Sequence, residues 1–116
     1  MILKAVDTPD SDVLTIILRM LQNADVPNRQ GKTYMIEMLL VLYNEEGEKR
    51  VSPSFTELCE RVGDLYGRKK ETVNAAINLA FRKSNALKVY GSKSSREFIY
   101  RIYEELLLWR LSNVQK

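Results

Sequence analysis

The chain has 116 residues, enough for one domain that buries a core without a metal or disulfide staple. One cysteine, Cys59, and no histidine exclude an intrachain disulfide, a Cys/His zinc site and any Ser-His-Asp or Cys-His nucleophile. Residues 1–60 carry 6 Lys/Arg against 10 Asp/Glu, and residues 61–116 carry 12 against 5, so the basic second half suggests a polyanion-binding face.

A first helix is expected at "TPDS", with Thr8 as its cap and Pro9 at the first helical position. Val13, Ile16, Ile17, Met20 and Leu21 mark its inner face. Its apolar run "VLTIILRML" follows Asp10 and Asp12 and is interrupted by Arg19, the wrong setting for a signal peptide and too short for a span. A cytoplasmic protein without a membrane partner is expected. "NADVPN" ends the helix, because Pro27 disfavours helix at Val26. A second helix is expected from about Lys32 to Tyr43, with Met35, Met38, Leu39 and Leu42 inward, followed by an exposed loop, "NEEGEKRVSP".

Ser54 and Glu57 form a capping box before Phe55, Leu58 and Val62, which predicts a short third helix. "GDLYG" punctuates it near Val62, or the helix runs on to Tyr66. Cys59 shares the apolar spacing and reads as a buried, reduced thiol. A fourth helix spans about Lys69–Ser84, and "NALKVYGSK" breaks it. Ser94 and Glu97 form a second capping box, after which Phe98, Ile99, Ile102, Tyr103, Leu106 and Leu107 predict a fifth helix to about Leu111. The alternative, a wing of two strands "LKVY" and "EFIYRI" around "GSKSSR", is disfavoured by the capping box and the helical period, although a short extended piece at Leu87–Tyr90 stays open. The pattern as a whole predicts an all-α, compact helical domain of about five to six helices, one domain over residues 1–116.

On a wheel of about 100° per residue, Val73, Ala76, Ile77, Ala80 and Phe81 form the buried stripe of the fourth helix. Arg68, Glu71, Ala75, Asn78 and Arg82 lie opposite, flanked by Thr72 and Asn74. Any surface helix has a polar back, but this one opens on Arg68, Lys69 and Lys70. Cations at a helix start add to the partial positive charge of the free N–H groups, an arrangement that a phosphate would turn favourable. A short helix, a turn and a second helix with a polar back is the helix-turn-helix plan. On that plan Asn74, Asn78 and Arg82 are the expected base-reading residues. Arg68, Lys69, Lys70, Lys88 and Lys93 are the expected phosphate-binding residues.

Five stretches carry a family resemblance: "TIILRMLQNADVP", "KTYMIEMLLVLYN", "FTELCERV", "ETVNAAINLAF" and "SSREFIYRIYEELLL". Their order and spacing over roughly residues 12–110 resemble the DNA-binding effector domain of stage-zero sporulation protein A, the sporulation response regulator of Firmicutes. The resemblance implies an all-helical fold, duplex DNA binding through the second helix of the pair, and transcription regulation. It implies structural roles for Val73, Ala76 and Ile77. The departures are the absence of the phosphate-accepting receiver domain, a link about four residues longer across "GDLYGRKK", a shorter segment after the recognition helix, and Ala75 and Asn78 where the family has arginines. The family's target sequence is therefore not carried over.

The expectation is a bacterial transcriptional regulator whose partner is duplex DNA, read through Lys69–Ser84 in the major groove. The alternative is a protein-interaction module of the same fold that has lost DNA recognition. No isolated pair of apolar-flanked carboxylates suggests acid–base work, so no enzyme, cofactor, metal or small-molecule substrate is expected. The broad apolar arc of the last helix, widened by Leu108 and Trp109, serves either the core or a homodimer through this C-terminal helix.

Overall fold

A computed structural model describes residues 3–6, 9–45 and 53–114. Asp10, not Thr8, starts the first helix: its carboxylate accepts the N–H groups of Asp12 at 2.8 Å and Val13 at 3.3 Å. Helix α1 thus spans Ser11–Asn23 and Pro9 precedes the cap, while Thr8 lies outside the described residues. Val13, Ile17, Met20 and Leu21 are buried and Ile16 is half-buried. The chain leaves α1 through Asp25, whose φ of 52° is the left-handed conformation that Asp tolerates better than most residues.

Helix α2, Gln30–Glu45, is longer than its apolar spacing suggested. Met35, Met38, Leu39 and Leu42 are buried as expected, but so are Tyr34, Ile36, Glu37, Leu40 and Val41. This helix is enclosed on all sides because α1, α3, α4 and α6 pack around it, so a single inward face was too narrow a description. Of the expected loop at 44–53, Asn44 and Glu45 are helical and residues 46–52 lie outside the described residues.

Ser54 Oγ accepts the Glu57 N–H at 3.2 Å and opens α3, Phe55–Tyr66. The helix does not stop at Val62. Gly63 stays inside it, and Gly67 ends it with φ 63° in the left-handed region, where glycine carries no Cβ penalty. Only residues 67–69 then separate α3 from α4, Lys70–Arg82. The long link read across "GDLYGRKK" is an extra helical turn plus a three-residue connection. Gly63 permits this: a Cβ there would stand 2.5 Å from the Arg68 carbonyl oxygen.

Val73, Ile77 and Ala80 are buried and Ala76 and Phe81 half-buried, so the predicted stripe of α4 faces inward, mainly onto α2 and α3. Gly31 lets α2 approach closely, since its Cβ would lie 2.2 Å from the Ala76 carbonyl oxygen. Leu87–Tyr90 is helical rather than extended: α5, Ala86–Tyr90, closes on Gly91 with φ 68°. The described residues contain six helices and no strand. Helix α6, Ser95–Val114, is capped by Ser94 Oγ on the Glu97 N–H at 3.2 Å, and the Glu97 carboxylate returns to the Lys93 N–H at 2.6 Å. Phe98, Ile99, Ile102, Tyr103 and Leu106 are buried and Leu107 half-buried, while Leu108 and Leu111 are exposed. The radius of gyration is 13.4 Å, about what a folded domain of this length should have. No helix of the described residues is long and apolar enough to cross a membrane.

Candidate nucleic-acid interface

The corner between α3 and α4 is held from inside by a buried carboxylate. Glu37 on α2 accepts the Lys4 N–H on Oε2 at 2.8 Å, the Ala5 N–H on Oε1 at 3.0 Å and the Tyr66 hydroxyl on Oε2 at 2.5 Å. It therefore ties the segment before α1 to the last turn of α3. Tyr66 meets Tyr34 edge-on at 5.4 Å, and the Lys4 ammonium sits 4.6 Å above the Tyr66 ring. Burial, then the Glu37 hydrogen bond and the Glu37 charge, push the Tyr66 hydroxyl above the ordinary tyrosine range. Nothing in the apolar periodicity marked Glu37 or Tyr66. Glu37 looks like an ordinary polar interruption of a helix until its neighbours are in place.

Outside this lock, Arg68, Lys69 and Lys70 are all exposed. Lys69 is the N-cap of α4, and no side chain caps the helix start. Among the described residues no ion pair engages any of these three cations. Two arginines elsewhere are paired: Arg61 bonds Glu45, and Arg101 bonds Glu105 at 2.7 Å. The Arg68–Lys70 corner is not purely positive, because Glu60, Asp64 and Glu71 line the same shallow depression.

The back of α4 divides the expected reading residues. Asn74 borders a small pocket of about 160 Å³ towards α3, beside Phe55, Thr56, Cys59, Lys70 and Glu71. Cys59 is buried at its inner wall, and burial pushes its thiol up to about 11. Asn78 and Arg82 lie in a second, open groove. Helix α4 supplies Ala75 and Phe81 beside them, and the approach to α6 supplies Lys93, Ser94 and Ser95. This groove has two cations and no carboxylate. Asn78 is half-buried there: its Oδ1 accepts the hydroxyl of buried Ser95 at 2.5 Å, and its Nδ2 points at Asn74 Oδ1 at 3.5 Å. Lys88 is exposed on α5 and lines neither depression.

Ser94 and Ser95 were missed as site residues. The capping box located the start of α6, but spacing alone does not tell that this start docks beside the back of α4. No protein-family model, curated protein or solved structure matches the chain.

Proposed function

We propose that this protein binds duplex DNA sequence-specifically, laying α4 in the major groove, and that it is a cytoplasmic bacterial transcriptional regulator with the plan of the sporulation effector domain. The observation that carries the reading is the placement of unpaired charge along α4. The helix is held from behind by α2 and α3, with Arg68, Lys69 and Lys70 at its start and Arg82 and Lys93 at its far end. Its 13 residues are about 20 Å long, against a major groove about 12 Å wide, so cations at both ends can reach the phosphates on both sides. The glycine-containing connection at residues 67–69 has the length found in helix-turn-helix pairs. Binding, not catalysis, is the role inferred.

With about 4–6 phosphate contacts, log K should fall against log salt with a slope of about −4 to −5. Fluorescence anisotropy on mixed genomic duplexes measures this. Undetectable binding at low salt removes the reading in favour of a protein-interaction module. The observation on the side of that second reading is the interleaving of Glu60, Asp64 and Glu71 with the corner cations. Mixed charge suits a protein surface better than a phosphate backbone.

The reading includes a homodimer through α6. Exposed Leu108 borders a groove with Ile16 and Trp109, and Arg19 and Glu105 line the same groove. Dimers match paired half-sites on DNA. Sedimentation at about 100 μM should show self-association. A strict monomer, both free and on DNA, removes the dimer.

A further inference from the structure

We infer that Ser95 is a specificity-determining residue: it locks the Asn78 amide so that α4 reads guanine, not adenine, at that position. The inference rests on the DNA-binding reading above and names what the same face would select. A free asparagine pairs with adenine by using both halves of its amide, accepting from N6 and donating to N7. Asn78 is not free. Its carbonyl oxygen accepts the Ser95 hydroxyl at 2.5 Å, and Ser95 is only 4% exposed, so water does not compete for that bond.

The consequence is directional. With Oδ1 turned inward to α6, the group left to the groove is the amino group, and only one of its two N–H bonds is directed at Asn74 Oδ1, at 3.5 Å. Asn78 is thereby a donor. Guanine offers two adjacent acceptors, O6 and N7, in the major groove. Adenine offers that amino group N7 alone and sets its N6 donor against it, and thymine offers O4 alone. Cytosine offers only a donor. Exposed Ala75 neighbours Asn78 in the groove and has no bulk to hold a base edge away, while Arg82 and Lys93 flank it with positive charge.

The experiment is selection from random duplexes with the full chain, its Ser95→Ala and Ser95→Thr variants, and Asn78→Ala. Asn78→Ala identifies the position it reads as the one where discrimination relaxes. At that position the natural chain should prefer guanine. Ser95→Ala frees the carbonyl and should move the preference to adenine, changing the guanine-to-adenine ratio about tenfold or more, since a bidentate contact supports discrimination of that order. Ser95→Thr keeps the hydroxyl and should keep guanine. Circular dichroism melts show that each variant is folded, and a loss of overall affinity alone does not move a ratio. An unchanged preference in Ser95→Ala, or adenine already preferred by the natural chain, overturns the lock. Failure of every protein, including the natural chain, to bind any duplex overturns the DNA-binding reading itself and this assignment with it.

Discussion

At Glu37 the protein takes a carboxylate fully inside and surrounds it with three donors, whereas at Arg68–Lys70 it leaves three successive cations outside with no ion pair among the described residues. The two regions are neighbours in the chain's path, since Tyr66, one of the three donors, is the last residue of α3 and Arg68 follows two positions later. An unsatisfied group costs much in the interior and little in water. The interior site therefore has to be closed by the protein itself, and it serves to hold the corner. The exterior site is under no such pressure, and its cations remain available to an anionic partner.

The sharpest way to break this contrast is Glu37→Ala. It leaves the Lys4 and Ala5 N–H groups and the Tyr66 hydroxyl without their acceptor. Hydrogen bonds to a charged group contribute about 1.5–3 kcal/mol each, so a loss of about 3 kcal/mol or more is expected in urea unfolding. A loss under about 1 kcal/mol would mean that the carboxylate does not hold the corner.

Alkaline pH probes the same interior more gently. Burial raises the Cys59 thiol from its ordinary 9.0 to about 11, and Tyr66 is raised as well. A raised pKa in the folded state gives stability that is complete below the unfolded value and is lost as pH rises through the folded one. The melting temperature should therefore fall between pH 9 and 11, while Cys59 stays unreactive to a thiol reagent near pH 8 unless the protein opens. Rapid labelling of the folded protein at pH 8 would show that the thiol is accessible.

The smallest expected effect lies outside. Lys69→Ala and Lys70→Ala remove exposed charges that make no ion pair among the described residues, so neither should lower the melting temperature. On the proposed DNA-binding reading, each should make the salt slope of binding shallower by about one unit, worth about threefold to fourfold in affinity between roughly 50 and 200 mM salt. The effect should be alike for all DNA sequences. A variant that melts early would place its lysine with Glu37, among the groups that hold the fold.

Much of the architecture is legible in local patterns. The boxes at Ser54/Glu57 and Ser94/Glu97 mark two helix starts, and the buried stripe of α4 follows the wheel because one face of that helix meets the core. The misreadings have local causes too. Gly63 left the end of α3 open between Val62 and Tyr66, where it in fact ends, because a glycine needed for close backbone approach and one needed for a left-handed turn are the same letter. α2 looked one-faced because the helices that cover its other sides come from distant parts of the chain. The candidate site was legible as a set of residues on a helix back, but not as two depressions with Asn74 in one and Asn78 in the other.

By itself the sequence determined that the chain is helical, where most helices begin, and which face of α1, α3 and α4 turns inward. These are questions of hydrogen bonds and side chains within a turn or two, and the helical period carries them. Only the tertiary structure decided which polar groups are enclosed and which stay free. Glu37 meets Lys4 across 33 residues and Tyr66 across 29, and Asn78 meets Ser95 across 17. No local period encodes such pairs. They exist because packing the apolar faces brings those backbones together, and a polar side chain caught there must find a partner or pay for lacking one.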